Sequence, residues 1–230
     1  MATSGTYTFN LTVAEALEEA YEQAGLELRS GYDLATGKRS ANLLLSDWAN
    51  DGVHLWTYQQ FTTACVADQS TYTLDPQWMD IIDAVLRDST STPPNDIPMT
   101  RISLSEYLNR PNKSTSGRPT HFAIERNSNK AGHTMYLWNV PDSTNYSVVA
   151  YGKRFIQDVG DYDDNLDIPT SALPAFMHGL AYALACKRKD ETSPRDRAEL
   201  LAKYQPVWDL FKFENRERAS LFITPAVGRR

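Results

Sequence analysis

A chain of 230 residues with 41% apolar and 23% charged residues has enough apolar surface for one or two folded domains, which excludes a disordered chain. Its 11 glycines and 12 prolines exclude collagen-like and low-complexity readings, and no apolar run approaches the roughly 18 residues of a membrane-spanning helix. A net charge of −6 excludes a whole-chain basic footprint for nucleic acid.

The first helix is expected to begin at Thr12. Thr12-x-x-Glu15 fits a capping box, in which two side chains satisfy orphan backbone N–H groups reciprocally. Val13, Leu17, Ala20, Tyr21 and Ala24 follow at helical spacing, and Gly25 suits the position just past the end. Glu15, Glu18, Glu19 and Glu22 share the opposite face, which reads as a solvated helix surface or as an acidic contact patch. A second helix is predicted over residues 36–50, with Ala41, Leu44, Leu45 and Trp48 as its buried stripe and Gly52 ending it.

From residue 55 to 155 the period changes to that of strands. Residues 61–66 and 71–74 are β-branched and aromatic. Residues 78–86 read as a strand in preference to a helix, being short and bounded by Asp75-Pro76 and residues 88–94. Ser103-x-x-Glu106 caps a short helical turn ending near Leu108. Residues 109–119 form a polar loop, a connector or a candidate binding loop. Strands follow over 120–126, 133–139 and 146–155, with hairpin-type loops at 127–132 and 141–145 and a bulge expected at Gly152.

The C-terminal part returns to helix. One helix follows Pro169-Thr170-Ser171 and carries Leu173, Phe176, Met177, Leu180 and Leu184. Another is capped by Ser193, with Pro194 at its first position and Asp196 at its third. Leu201, Tyr204, Trp208 and Phe211 supply its stripe, and Pro206 is expected to kink or interrupt it. The pattern predicts an α+β fold: a bundle of N- and C-terminal helices (residues 1–54 and 168–220), an inserted antiparallel β lobe (55–167) and an extended tail (221–230). That tail is apolar through Leu221, Phe222, Ile223 and Pro225, ends in Arg229 and Arg230, and must pack on something.

Charge is uneven along the chain. Residues 1–186 hold 12 basic and 22 acidic side chains, and residues 187–230 hold 11 and 7. An acidic body with a basic C-terminal surface, or a solvated helix of mixed charge, accounts for this. Cys65 and Cys186 have no metal or redox spacing and are expected to be free. The first ten residues are polar and uncharged and lack the pattern of a secretory signal, so folding in a reducing cytosol is expected.

No motif selects a catalytic, cofactor or metal site. His54, His121, His133 and His178 lack zinc spacing, although His121 and His133 flank a hairpin and are placed to approach each other. Asp161-x-Asp163-x-Asn165 opens like a calcium loop, but Leu166 stands where glycine is needed and Ala172 where a bidentate Glu should be. There is no Gly-x-Ser-x-Gly elbow and no phosphate-cradling loop. A cell-wall or polysaccharide hydrolase using acidic residues such as Asp161 and Asp164, or a carbohydrate-binding β module using Tyr136 and Trp138, are the alternatives to a structural, non-enzymatic role.

Several short segments, in order, carry a resemblance. They are Leu43-Leu44-Leu45-Ser46-Asp47-Trp48-Ala49-Asn50 with Gly52 and Leu55-Trp56, then Thr71-Tyr72-Thr73-Leu74 before Asp83-Ala84-Val85-Leu86. Ser105-Glu106-Tyr107, Gly117-Arg118-Pro119-Thr120, Tyr136-Leu137-Trp138 and Val140-Pro141-Asp142 come next, then Gly179-Leu180-Ala181-Tyr182 and Arg216-Glu217-Arg218-Ala219. In this order the chain resembles head-to-tail adaptor proteins of short-tailed bacteriophages, the tail tubular A-like or tail accessory group. The resemblance implies a ring of this chain, usually of twelve copies, at the head–tail junction of the virion. Its partners would be the portal protein and the tail nozzle protein, with DNA passing non-specifically through its lumen, and no membrane or cofactor. Leu221, Phe222, Ile223, Pro225, Arg229 and Arg230 would then clasp the portal. Glu15, Glu18, Glu19 and Glu22 would face the lumen or an interface.

Overall fold

The computed structural model describes residue 5 and residues 9–29, 31–52, 55–127 and 132–215. In chain order these form α1 (Val13–Gln23), α2 (Gly31–Asn50), β1 (Tyr58–Ala64), β2 (Thr71–Thr73), β3 (Trp78–Asp88), β4 (Asn95–Pro98), β5 (Thr100–Arg101) and α3 (Leu104–Asn109). Then come β6 (His121–Glu125), β7 (Thr134–Trp138), β8 (Tyr146–Arg154), α4 (Leu173–Lys187) and α5 (Pro194–Glu214). The fold is α+β, with helices at both ends of the chain and sheets between them. The chain divides into two compact units: Met1–Leu55 with Gln157–Arg230, and Trp56–Ile156.

In the helical unit α4 is the central element. It buries Leu173, Phe176, Met177, Leu180 and Leu184 together with Ala175, Gly179, Ala181 and Ala185, so it is apolar nearly all round. It packs against α1, α2 and α5. A Cβ on Gly179 would lie 2.9 Å from the Tyr204 ring and 3.1 Å from Leu44, so the close approach of α2 and α5 to α4 requires glycine there. Trp48 is the hub of the aromatic core. It stacks on Trp208 at 4.7 Å, meets Phe176 edge-on at 5.9 Å, and donates from Nε1 to Tyr204 Oη at 3.1 Å.

Two expectations for the helices are corrected. α2 begins at Gly31, five residues before the expected start. Gly31, Asp33 and Gly37 are weak helix formers that hide its first turns, and tertiary contacts override them. Asp33 is buried in an ion pair with Arg188, and Gly37 packs under Leu17 and Tyr21. α5 runs on through Pro206 as one helix. Burial of Leu200 on one side of Pro206, and of Trp208 and Phe211 on the other, offsets the lost backbone hydrogen bond.

The β unit is a two-sheet sandwich. One sheet has the order β1-β8-β3-β4 and is antiparallel throughout. The other has the order β2-β7-β6-β5, with β5 and β6 parallel. Trp78, Ile81, Leu86 and Val148 of the first sheet share one core with Tyr72, Phe122, Met135 and Leu137 of the second. On the far face of the second sheet, Tyr107 of α3 packs with Ala123 and half-buried Tyr136 and Trp138. β6 and β7 are the expected hairpin. Residues 141–145 are not a hairpin loop: they carry the chain from β7 in one sheet to β8 in the other. The alternation of 133–139 and 146–155 identifies two strands but not their partners.

The bulge expected at Gly152 lies on the facing strand. The β3–β8 register shifts between Trp78 and Asp80 and between Ile81 and Asp83, so the extra residues are Met79 and Ile82. Gly152 sits beneath the Phe61–Trp78 stack, whose centroids are 4.2 Å apart. A Cβ there would come within 2.7 Å of Trp78 and 2.8 Å of Phe61.

Candidate functional site

The α1 carboxylates stand along one exposed helix face. Glu15, Glu18, Glu19 and Glu22, with Phe9 and Leu11, line a shallow groove of about 370 Å³. Glu15 is committed to the helix start: its carboxylate accepts from the Thr12 N–H at 2.9 Å, and its own N–H donates to Thr12 Oγ1 at 3.3 Å. The bonds from the Thr12 backbone and hydroxyl hold its carboxyl below the usual range. Glu19 accepts from Gln23 Nε2 at 2.7 Å. Glu18 and Glu22 complete an anionic stripe next to exposed Phe9. Such a stripe repels phosphate and attracts a basic surface. Leu221, Phe222, Ile223, Pro225, Arg229 and Arg230 lie outside the described residues.

The acidic segment at 158–167 belongs by its contacts to the helical unit. Asp164 and Tyr162 offer carbonyls to the N–H groups of Val13 and Ala14, both at 2.9 Å. These are two of the orphan donors at the start of α1. Asp164 Oδ2 accepts from the Asp161 N–H at 2.7 Å, and Asp167 Oδ2 from the Gln157 N–H at 2.9 Å. Asn42 Oδ1 accepts from the Val159 N–H at 2.7 Å. Two of its carboxylates therefore brace the turn, and Asp161 and Asp164 are exposed, without the apolar surround that makes a carboxyl a general acid.

His121 and His133 do not meet. His121 pairs with Trp138 at one end of the β6–β7 hairpin, and His133 precedes Thr134, paired with Glu125, at the other. Five steps of strand separate them, roughly 17 Å. His133 Nδ1 accepts from the Asn127 N–H at 3.2 Å. His54 lies outside the described residues. Among the described residues no group of three or more His, Cys, Asp or Glu could hold a metal ion. Cys65 and Cys186 are free, and burial pushes the Cys65 thiol up to about 11, which leaves it protonated and unreactive at neutral pH.

Tyr136 and Trp138 do not present flat faces for sugar stacking. The Arg110 guanidinium lies 4.6 Å over Trp138 and His121 packs on its edge at 5.3 Å. Tyr136 donates to Glu125 at 2.6 Å and packs on Tyr107 at 5.1 Å. The Asn109–Pro119 loop returns Gly117 and Thr115 to Val140 through backbone bonds of 2.9 and 3.0 Å, which ties it to the end of β7.

Sequence reasoning missed the charge pairs that pin the β unit. Arg87 clasps Asp96 with two bonds of 2.7 Å, and Asp80 takes both Arg101, at 2.8 Å, and Arg126, at 2.5 Å. Burial alone would raise the Asp80 carboxyl, but the bonds and charges of the two arginines leave it lowered. The partners of Asp80 lie 21 and 46 residues away. No local pattern announces them.

A family model described as SU10 adaptor protein matches residues 12–225, nearly the whole chain. No curated protein matches the chain.

Proposed function

This chain belongs to the SU10 adaptor protein family, which makes it a structural adaptor of a phage and a virion component, and from that premise we propose that it forms the ring joining the portal to the tail nozzle. The observation that carries the reading is the family match across both compact units. Twelve copies close the ring through heterologous contacts, one patch of each copy meeting a different patch of the next. The genome passes through its lumen. A net charge of −6 and the α1 carboxylates fit a bore that repels phosphate and lets DNA slide. The basic, apolar residues Leu221, Phe222, Ile223, Pro225, Arg229 and Arg230 clasp the portal.

Native mass spectrometry and electron microscopy of the chain mixed with purified portal test this. A ring of defined copy number capping one end of the portal is the expected result. The chain lacking residues 221–230 should stay folded and fail to bind. A full chain that stays monomeric beside the portal would refute the ring, and unchanged binding by the truncated chain would refute the clasp alone.

A further inference from the structure

Arg87 and Asp96 in the β unit are matched one to one. One charged cluster of that unit is not matched in this way. Near the start of β3, Asp80 pairs with Arg101 of β5 and with Arg126, the residue after β6. Lys153 of β8 stands directly opposite Asp80 in the β3–β8 register, which sets their Cβ atoms about 5 Å apart. Three cations from both sheets therefore surround one carboxylate.

That carboxylate is fully used. Asp80 Oδ1 accepts from Arg101 Nη2 at 2.8 Å and from the Ile81 N–H at 3.0 Å. Its Oδ2 accepts from Arg126 Nη2 at 2.5 Å and from Arg101 Nη1 at 3.3 Å. The cations are not fully used. Arg126 spends one of its three guanidinium nitrogens on Asp80, and its Nε and Nη1 have no acceptor among the described residues. Lys153 is half-buried and has no hydrogen bond or ion pair among the described residues. Burial holds its pKa below the ordinary 10.5, with the charge of Asp80 opposing and that of Arg126 adding to the effect. Asp83, the next acid along β3, bonds to the Ala84 N–H at 3.1 Å. Three formal positive charges against one negative leave two uncompensated, in a chain whose net charge is −6. The Arg126 side chain is 61% exposed, so solvent reaches the cluster.

A partner for this cluster has to bring about two negative charges and several acceptor oxygens. A carboxylate or a phosphodiester brings one charge. A phosphate monoester brings about −1.5 to −2 and three strong acceptors. The guanidinium fork matches two phosphate oxygens, and an ammonium serves as a point charge for a third. We propose that Arg126 and Lys153, backed by Arg101, bind one phosphate dianion, either as the free ion or as a terminal phosphate ester. Asp80 is a positioning residue: it fixes both arginines and leaves the outer nitrogens of Arg126 turned to the ligand. The site lies wholly within the β unit and does not rest on the ring reading.

Isothermal titration of the full chain with sodium phosphate at neutral pH, against sodium chloride of equal ionic strength, should show saturable binding at one site. Lys153→Met keeps the aliphatic packing and Arg126→Gln changes an exposed side chain, so circular dichroism should be unaltered in both. Each should weaken binding about tenfold or more, the loss of a charge-assisted hydrogen bond. Arg87→Gln should leave binding unchanged, because Asp96 already clasps that guanidinium. If Lys153→Met fails to fold, Arg126→Gln decides alone. A single-stranded oligonucleotide bearing a terminal phosphate, compared with its twin ending in a hydroxyl, separates the two sources. Competition by the phosphorylated strand alone assigns the site to a terminal ester, and competition by neither assigns it to the free ion. Equal competition by both strands, malonate binding as tightly as phosphate, no binding beyond that in chloride, or binding that either folded variant leaves unchanged would each overturn the proposal. Portal binding is scored separately, so this site and the ring fail independently.

Discussion

The helical unit and the β unit are specified over different distances along the chain. Helix ends are written within four residues: Thr12 with Glu15, and Ser193 with Asp196, each close a reciprocal capping box. The β unit is written across its whole length. Tyr58 of β1 pairs with Lys153 of β8, and Trp78 of β3 with Arg154. Local rules therefore place the starts of α1 and α5, whereas the partner of a strand is a property of the entire inserted segment.

The sharpest way to break the comparison is to attack the helical unit at its two long-range points. Trp48→Ala removes the hub between Trp208, Phe176 and Phe211 and should cost about 3–5 kcal/mol. Asp33→Ala removes the buried carboxylate partner of the Arg188 guanidinium, which lies 5.5 Å over the Tyr21 ring and keeps only the longer pair with Glu191 at 3.4 Å, and should cost about 3 kcal/mol. Urea unfolding measures both. Amide exchange resolved by residue should show the loss confined to the helical unit. Equal loss of protection in β3 and β8 would mean that the two units unfold as one, and the contrast drawn here would lose its force.

Next in size is the β unit's own tight point. Gly152→Ala forces a methyl group against Trp78 and Phe61 and should cost roughly 1–3 kcal/mol. Phe61, Gly152 and Trp78 sit on β1, β8 and β3, so protection in these three strands should fall together. A change limited to β8 would show that the stack yields without disturbing its strands.

Legibility follows the distance to a residue's partners rather than the boundary between the units. The capping boxes, the strand at 78–88, the short α3 and the β6–β7 hairpin all announce themselves through period or cap. The early start of α2 does not, because Asp33 is stabilised by Arg188, 155 residues on. Pro206 misleads for the same reason: propensity counts a lost hydrogen bond but not the aromatic packing beside it. In the β unit, β4 and β5 are four and two residues long, too short to show a period. The switch of sheet between β7 and β8 leaves no local mark. For the candidate site, the α1 carboxylates are visible in the sequence as one face.

Smaller effects come from the caps. Thr12→Ala and Ser193→Ala should each cost about 1 kcal/mol, the ordinary loss when a helix N-cap is removed. Thr12→Ala also frees the Glu15 carboxylate, so binding of a basic partner at the α1 groove should strengthen or stay equal, while thermal stability falls. Thermal melts and salt-dependent binding of a basic peptide separate the two effects. Weaker binding would show that the capped geometry itself shapes the groove.

The smallest expected effect compares one histidine from each unit. Burial lowers the pKa of His178 from its ordinary 6.5, with the charge of Lys203 adding to it and Glu19 opposing, and its Nδ1 is buried without a partner among the described residues. Burial also lowers that of His121, with Arg110 adding and Glu106 opposing. Each is held neutral in the fold more firmly than in the unfolded chain. As pH falls below 6.5 the unfolded chain takes up protons first, so the stability each contributes, full above 6.5, is lost until its folded pKa is passed. The lowered carboxyls of Glu15, Asp80 and Asp196 add to the loss only as pH falls below their ordinary values of 4.5 and 3.8. Melting temperature should therefore decline gently between pH 6.5 and 5. His178→Gln should flatten the decline seen by probes in the helical unit, and His121→Gln that seen by probes in the β unit. A decline that both variants leave unchanged would place the titrating group elsewhere, and one that either variant removes from both units would tie the two units into one cooperative system.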